Sequence, residues 1–179
     1  MSEFEEIQRL YKTRRDDHFA YRQIAAQFAL RFATGFRQHI GAPEDYVELD
    51  GNTRTAYVEP TKITRNPSGK EQSACPQNHL DLVTFDDDDG YFRFGVRLAL
   101  EPAPDAFPKQ PFVFVLRFAI KERQCELEAA GEAFSFDIND NNAHTAAYAA
   151  MSDALKRELS RKPWDGVERP IGFLPLSRD

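Results

Sequence analysis

The stretch "LVTFDDDDGYFRFGVRL", residues 82–98, places four consecutive aspartates between two apolar runs. On both sides apolar and polar residues alternate, which is the period of a strand with one buried face. A turn of two or four residues at the aspartates would pair Phe85 with Phe92 and Val83 with Phe94. Such turns select Asp and Gly, because Asp bonds its own backbone and Gly adopts positive φ. We therefore predict an antiparallel hairpin with the aspartates at its tip.

A divalent-cation site is the alternative interpretation of these aspartates. A calcium loop of the EF-hand type needs glycine at its sixth position and glutamate at its twelfth. With Gly90 sixth, Phe85 would be first and Val96 twelfth, and neither side chain is a calcium ligand. The segment "DINDNNAH" at 137–144 alternates acids and amides but has Tyr148 at the twelfth position. We predict no metal site in either segment, and no cofactor.

The strand pattern continues beyond the hairpin. Apolar side chains on one face are Phe92, Phe94, Val96, Leu98 and Leu100, and then Phe112, Phe114, Leu116, Phe118 and Ile120. One buried and one exposed face is typical of antiparallel sheets. We predict four strands in meander order, at 79–86, 91–101, 111–122 and 125–138, with the proline-rich "EPAPDAFPKQP" joining the middle two.

The last of these strands contains a conflict of register. A two-residue turn at 123–124 would pair Ile120 with Leu127, so that apolar residues meet. In the same register Phe134 and Phe136 would lie on the charged face. Because a shift of one residue moves every side chain to the other face, we predict a β-bulge near Gly131 that returns both to the core.

An N-terminal helix is predicted from residue 4 to about residue 40. Its apolar residues recur at steps of three and four: Tyr21, Ile24, Phe28, Phe32, Phe36 and Ile40. The polar run "TRRDDH" at 13–18 interrupts this stripe, so the segment fits either one helix or two. Gly41 and Pro43 end it.

A C-terminal helix is predicted over residues 142–162, with Asp140, Asn141 or Asn142 as its N-cap. Its stripe is Tyr148, Met151, Leu155 and Leu159, and Pro163 stops it. Between the helices, "EDYVELDGNTRTAYVEP" carries Asp50-Gly51, a strong hairpin signal, and "RNPSGKEQSACPQN" is typical of a surface loop. The tail after the second helix is predicted to be extended and held by Trp164 and Phe173.

These elements predict a single α+β domain. A helical segment at 1–41 precedes an antiparallel meander sheet of about six strands at 42–138. A helix within 139–162 packs on the sheet, and an extended tail follows at 163–179.

The overall charge narrows the class of partner. The chain of 179 residues has a net charge of −6 and a pI near 5.3, whereas nucleic-acid-binding domains are usually basic. We expect no nucleic-acid partner. We also expect no membrane span and no secretory signal, since the N-terminal region is acidic and lacks an apolar run. Cys75 and Cys125 form no CxxC motif, so a reduced, cytoplasmic location is the prediction.

Cationic side chains line the polar face of two predicted strands. Arg93, Arg97, Arg117 and Lys121 share that face. Arginine matches carboxylate and phosphate groups bidentately, so this face is predicted to bind an acidic protein or a small anionic ligand. The alternative is internal pairing with glutamates of the next strand, at 126, 128 and 132. Arg93 and Arg97 lie farther from those glutamates, so we expect them to contribute most to binding.

Cys75, His79 and Asp81 in "ACPQNHLD" have the residue types of a thiol nucleophile, its base and an orienting acid. Catalysis needs hydrogen-bond contact among them, which the spacing does not establish. Alternating strand positions would place only His79 and Asp81 on one face. These three residues are therefore weak pocket candidates, and no catalytic residue is assigned.

Two functional hypotheses follow. The first is a non-catalytic binding or accessory module that docks an acidic partner or self-associates into a homo-oligomer. It is based on the arginine face, the aromatic helix and the lack of a catalytic motif. The alternative is a small-molecule-binding protein or enzyme with a pocket between the sheet and the C-terminal helix.

Overall fold

The structure is a computed structural model that describes residues 2–48, 54–66, 69–86, 89–140, 142–162 and 173–175. The predicted Asp50-Gly51 turn and the predicted anchor Trp164 lie outside these ranges. The helices are α1 (Glu3–Ile40) and α2 (Thr145–Ser160), and a short 3-10 helix spans His79–Leu82. The strands are β1 (Tyr46–Glu48), β2 (Arg54–Ala56), β3 (Val58–Arg65), β4 (Glu71–Ala74), β5 (Thr84–Asp86), β6 (Tyr91–Leu100), β7 (Gln110–Lys121), β8 (Gln124–Ala129), β9 (Glu132–Asp137) and β10 (Phe173–Pro175).

The predicted α+β fold is confirmed. The main sheet has eight strands in the order β4-β3-β6-β7-β8-β9, with β5 paired to β6 and β10 paired to β7, while β1 and β2 form a separate two-stranded sheet. Every strand pair is antiparallel. The C-terminal segment is extended where it is described, because β10 runs along β7.

The aspartate-rich stretch forms the predicted hairpin. Phe85 of β5 pairs with Phe92 of β6, so the connection between the two strands has four residues. Asp89 accepts a hydrogen bond from the Tyr91 backbone N–H at 2.9 Å, and Gly90 has a φ of 75°. Both observations are the turn chemistry that the sequence predicted, although two residues of the turn, 87 and 88, are outside the described ranges.

The core lies between α1 and the apolar face of the sheet. Phe28 contacts Phe118 at a ring-centroid distance of 4.8 Å, and Phe36 contacts Phe114 at 5.5 Å. The alternating apolar face predicted for β6 and β7 is buried as expected, except that Leu100 at the end of β6 is half-buried. Burying one such aromatic side chain stabilises the fold by about 1.5–3 kcal/mol, so this layer of phenylalanines is the main cohesive element.

The N-terminal segment is one helix of 38 residues and not two. The polar run at 13–18 does not break it, because its residues are all exposed and need no apolar face. The last of them, His18, makes a T-shaped ring contact with Phe85 of β5 at a centroid distance of 5.2 Å. The helix ends at Gly41, which has a φ of 67°. Ile24, which was assigned to the buried stripe, is 46% exposed.

The predicted β-bulge near Gly131 is wrong. Ala130 and Gly131 both have positive φ, 53° and 82°, which is the geometry of a two-residue hairpin turn. The chain therefore reverses into β9, and Phe136 reaches the core on this new strand opposite Cys125.

The preceding turn is also one residue earlier than predicted, at 122–123. As a result Phe118 pairs with Leu127, and Ile120 pairs with Cys125 instead of Leu127. The register differs by two residues from the prediction. Because side chains alternate between the two faces with a period of two residues, each side chain still lies on the face that was predicted for it.

Two further boundaries differ from the sequence expectation. Residues 79–82 form a 3-10 helix and not a strand, because the Asn78 side chain accepts hydrogen bonds from the N–H groups of Leu80 and Asp81. Helix α2 begins at Thr145 with His144 as its N-cap, whereas Asp140 caps a preceding turn through the Asn142 N–H. Leu159 of the predicted α2 stripe is exposed.

Candidate functional site

The outer face of the sheet carries the three arginines that were predicted to bind an acidic partner. Arg93 and Arg117 lie directly opposite each other on β6 and β7, and like charges in this position repel. Asp89 from the hairpin tip relieves the repulsion. Its Oδ2 lies 2.8 Å from Nη2 of Arg117 and 3.8 Å from Nη2 of Arg93.

Arg93 and Arg117 have further partners within the chain. Nη2 of Arg93 donates to Asp86 at 2.7 Å, and only 11% of the Arg93 side chain is exposed. Nη1 of Arg117 donates to Glu128 at 2.8 Å, and its guanidinium lies 3.9 Å from the centre of the Tyr91 ring. The hydrogen bonds to Glu128 and Asp89 raise the pKa of Arg117. Internal pairing therefore involves the hairpin aspartates as well as the glutamates of the next strand.

Arg97 lies under the small β1–β2 sheet. It donates to Thr55 of β2 and to Glu59 of β3, and Thr55 is almost fully buried. Each of the three predicted binding arginines thus contacts at least one carboxylate of the same chain.

A groove of about 510 Å³ crosses this outer face. Its charged walls include Arg65, Arg93 and Arg117, and the β8–β9 turn at 129–133 forms its other side. The carboxylates that pair with these arginines are Glu71, Asp86, Asp89 and Glu128. Among the residues described here, cations do not outnumber anions, so the groove is a mixed surface and not a cationic one.

The three weak pocket candidates do not assemble. Asp81 is hydrogen-bonded to Nζ of Lys62 at 2.6 Å and accepts from the Gln77 N–H, and these bonds lower its pKa. Sγ of Cys75 contacts only the carbonyl of Pro76, at 3.9 Å, within the described part of the chain. His79 is exposed. Asp81 therefore tethers the 3-10 helix to β3, and the geometry of a thiol catalytic site is not present in these residues.

The N-terminal part of α1 carries an exposed apolar surface that is not among the site residues predicted from the sequence. We call residues 3–17 of α1 the arm. Every residue from Ser2 to Ala20 is exposed. The large apolar side chains of the arm and their exposed fractions are Phe4 66%, Ile7 56%, Leu10 59% and Tyr11 68%.

The arm continues the stripe that is buried in the second half of α1. Positions 4, 7, 11, 14, 18, 21, 25, 28 and 32 follow one another at steps of three and four, so they share a helix face. The sequence signal was missed because Arg14 and His18 occupy two of these positions and interrupt the apolar pattern.

The arm leaves the domain at a fixed point. Tyr21 Oη donates to the carbonyl of Ile120 at 2.9 Å and accepts from its N–H at 3.1 Å. Nε of Arg22 donates to the carbonyl of Leu80 at 3.0 Å. These contacts hold the helix immediately after the arm, so the direction of the arm is set by the fold.

A second cavity, of about 640 Å³, lies between α1 and the start of α2. Its α1 wall spans residues 30–39, and its α2 wall consists of His144, Thr145 and Tyr148. His144 is 4% exposed, and burial together with the charge of Arg31 lowers its pKa. Burial raises the pKa of Tyr148 to about 12.

Metal-binding clusters and membrane-spanning helices are both absent from the residues that the structure describes. Within the ranges given above, no three His, Cys, Asp or Glu side chains lie close enough together to hold a metal ion. Neither of the two helices described has a long enough apolar segment to cross a membrane.

Comparison of the chain with protein-family models, curated proteins and solved structures gave no match in any of the three.

Proposed function

We propose that this protein is a non-catalytic module that self-associates, and that two copies pair through their arms in antiparallel orientation. The observation that carries the proposal is the uncovered apolar stripe of the arm. A free-standing helix of about 15 residues is only marginally stable in water. The capping box of Ser2 and Glu5 stabilises its first turn, but the apolar side chains beyond that turn lack a packing partner in the described chain.

The charges of the arm favour a second copy as the partner. Its first turn is acidic, with Glu3, Glu5 and Glu6, whereas Lys12, Arg14 and Arg15 lie farther along and are followed by Asp16 and Asp17. Antiparallel pairing along the whole arm places Glu5 and Glu6 of each copy beside Arg14 and Arg15 of the other. Parallel pairing would place like charges together, at a cost.

The antiparallel orientation also satisfies the shape of the molecule. Each arm extends about 22 Å beyond the body, at 1.5 Å per residue. When two arms overlap in opposite directions, the two bodies lie at opposite ends of the pair and do not collide. The stripes then cover each other along their whole length.

The apolar area of the arm indicates a weak dimer. Completing the burial of the four apolar side chains on each of two copies contributes about 1 kcal/mol per side chain, or roughly 8 kcal/mol in total. Association itself costs at least about 4 kcal/mol, and the paired charges offset about 1 kcal/mol of that. We expect a dissociation constant on the order of 0.1–1 mM.

Docking of an acidic partner on the arginine face is the less favoured alternative. Such a partner would have to displace carboxylates already bonded to Arg93 and Arg117 at 2.7–2.8 Å. A second copy at the arm displaces only water.

The test is sedimentation velocity over a concentration series from about 10 μM to about 1 mM. The wild-type chain should shift from monomer to dimer across this range. The variant Ile7→Glu with Tyr11→Glu should remain monomeric, while Phe19→Glu, at an equally exposed apolar residue outside the stripe, should dimerise as the wild type does. Circular dichroism confirms that each variant is folded.

Charge reversal tests the orientation. Arg14→Glu with Arg15→Glu should weaken the dimer, and so should Glu3→Arg with Glu6→Arg. An equimolar mixture of these two variants should recover association, because every acidic end then faces a basic one. A wild-type chain that stays monomeric at all concentrations would refute the proposal. So would arms that bind anionic vesicles without dimerising, which would assign the stripe to a lipid surface.

A further inference from the structure

The cavity between α1 and α2 differs in charge from the groove on the outer face. In the groove every arginine contacts a carboxylate. In the α1–α2 cavity the charged lining residue is Arg31, and no Asp or Glu is among the described residues that line it. Arg31 forms no ion pair with any residue in the described ranges. In a chain of net charge −6, a cavity with only cationic charge on its wall indicates an anionic ligand.

Gly35 lets a side chain of α2 approach α1 closely at the base of this cavity. Arg31, Gly35 and Gln38 are spaced at i, i+4 and i+7, so they lie one above another on the same face of α1. Because Gly35 has no side chain, a gap separates the two polar side chains. Glycine in the middle of a helix costs about 1 kcal/mol relative to alanine, so its presence calls for a structural reason.

Tyr148 supplies part of that reason and forms the floor of the gap. A Cβ at position 35 would lie 2.2 Å from Tyr148 Oη, so the tyrosine fits against α1 only because residue 35 is glycine. The ring of Tyr148 also packs against Phe32, with centroids 4.8 Å apart. The floor of the cavity is therefore aromatic and tightly packed, while its rim is polar.

Two hydroxyl groups that line the cavity already donate hydrogen bonds to backbone carbonyls. Thr34 Oγ1 donates to the carbonyl of Leu30, and Thr145 Oγ1 donates to that of Asn142, so these two hydroxyls have no proton left for a ligand. The other lining side chains that carry donors are the guanidinium of Arg31, the amide of Gln38 and the imidazole of His39, whose ring also packs against Tyr148 at a centroid distance of 5.6 Å.

The start of α2 adds to the positive potential. His144, the N-cap, makes no side-chain capping bond, and no acid lies in the first turn of α2. The positive end of the helix dipole is therefore not neutralised by the helix itself. His144 is nearly fully buried, and its Nε2 has no hydrogen-bond partner among the described residues.

We propose that the α1–α2 cavity is a binding site for a small organic oxyanion, a molecule with one carboxylate or phosphate group on a compact apolar body. Arg31 binds the oxyanion bidentately, Gln38 and His39 complete its hydrogen bonds, and the apolar body lies over Tyr148 beside Leu30. A cavity of about 640 Å³ is in the range of small-ligand sites. The proposal is independent of dimerisation, because the arm and the cavity use different parts of α1.

The test is titration of the isotope-labelled chain followed by two-dimensional amide NMR. The probes are inorganic phosphate, phenyl phosphate and benzoate, each against sodium chloride at matched ionic strength. We expect saturable shifts at Arg31, Gly35, Gln38 and Thr145, with a dissociation constant on the order of 1 mM for the best probe. Equal binding of phosphate and phenyl phosphate would mean that the oxyanion alone is recognised. Tighter binding of the aromatic probes would mean that Leu30 and Tyr148 take part.

Matched variants separate this site from general attraction to arginines. Arg31→Gln should weaken binding about tenfold or more, whereas Arg157→Gln, at an exposed arginine of α2 that lines neither the cavity nor the arm, should leave it unchanged. Both positions are on the helix surface, so both variants should fold. The proposal is overturned if no probe saturates by about 20 mM, if Arg31→Gln binds as the wild type does, or if the shifts centre on Arg93 and Arg117.

Discussion

The two halves of α1 carry the same pattern of apolar residues but have opposite environments. In the second half Phe28, Phe32 and Phe36 are fully buried against the sheet, whereas in the arm Phe4 and Tyr11 are about two-thirds exposed. The helix is continuous, and the spacing of the stripe does not change. What changes is the length of the sheet beneath it. A stripe at helical spacing therefore indicates which face will be covered, but it does not indicate whether the cover comes from the same chain.

The largest expected effect comes from truncating one phenylalanine in each half. Phe32→Ala removes a ring that contacts Phe94 and Tyr148 and should cost about 3–5 kcal/mol of unfolding free energy, because it leaves a cavity. Phe4→Ala should cost less than about 0.5 kcal/mol at concentrations where the chain is monomeric. Urea denaturation of both variants measures the difference.

The effect of Phe4→Ala on stability should also depend on the protein concentration. At high protein concentration Phe4→Ala should become measurably less stable than the wild type, since dimerisation stabilises the folded state by mass action. In dilute solution, Phe4→Ala could instead lose as much unfolding free energy as Phe32→Ala. That result would mean that the arm packs against residues of its own chain, and the two halves of α1 would then not differ in environment.

The fold was predictable where local chemistry and burial agree. The apolar alternation of β6 and β7 determined the inner face of the sheet, and the Asp-Gly turn determined the β5–β6 hairpin. The hairpin at Ala130 and Gly131 was not predicted, because a positive φ at alanine is unusual and leaves no mark in the sequence. The 3-10 helix at 79–82 was missed for a related reason. The strand pattern there covers only four residues, and the hydrogen bonds that Asn78 accepts from the N–H groups of Leu80 and Asp81 favour the 3-10 helix instead.

The site was less predictable than the fold because charge pairing is a tertiary property. The arginine face followed from the period of the strands, but Asp86 and Asp89 were assigned only to a turn, and their distance from Arg93 depends on how the hairpin is placed. The cavity at Gly35 was not visible, since a glycine within a helix pattern does not reveal which residue of another element packs against it.

Gly35→Ala tests how closely the covered half of α1 is packed. The new methyl group would meet Tyr148 Oη at 2.2 Å and its Cζ at 3.0 Å, and overpacking typically costs about 1–3 kcal/mol, partly offset by the better helix propensity of alanine. We expect a net loss of about 1–2 kcal/mol in unfolding free energy. In the arm, Thr13→Ala changes helix propensity alone and should be neutral or slightly stabilising.

A double-mutant cycle identifies the cause of that loss. Tyr148→Phe removes the hydroxyl that the new methyl group would meet, so Gly35→Ala should cost much less in this background. Equal costs in both backgrounds would show that the hydroxyl is not the limiting contact. The cycle is measured by urea denaturation, with the coupling free energy as its result.

The smallest expected effect is a pH dependence from His144, which lies where the covered half of α1 meets α2. Its ring packs against Phe28, Phe32 and Phe136. Burial and the charge of Arg31 lower its pKa below the ordinary value of 6.5, while Asp140 acts in the opposite direction. Near pH 7 and above, this imidazole is neutral in both the folded and the unfolded chain and adds no pH dependence.

Below pH 6.5 the unfolded chain binds a proton at His144 that the folded chain does not, so stability falls as the pH decreases and levels off below the folded pKa. At pH 5.5, one pH unit below the ordinary pKa of 6.5, this loss is at most about 1.4 kcal/mol. His144→Phe keeps an aromatic ring and removes the titration, so its stability should fall less than that of the wild type between about pH 7 and about pH 5.5. Parallel profiles would mean that the folded chain protonates His144 as readily as the unfolded chain does. In that case water reaches the junction of α1 and α2, and the two halves of α1 differ less in their burial than the structure indicates.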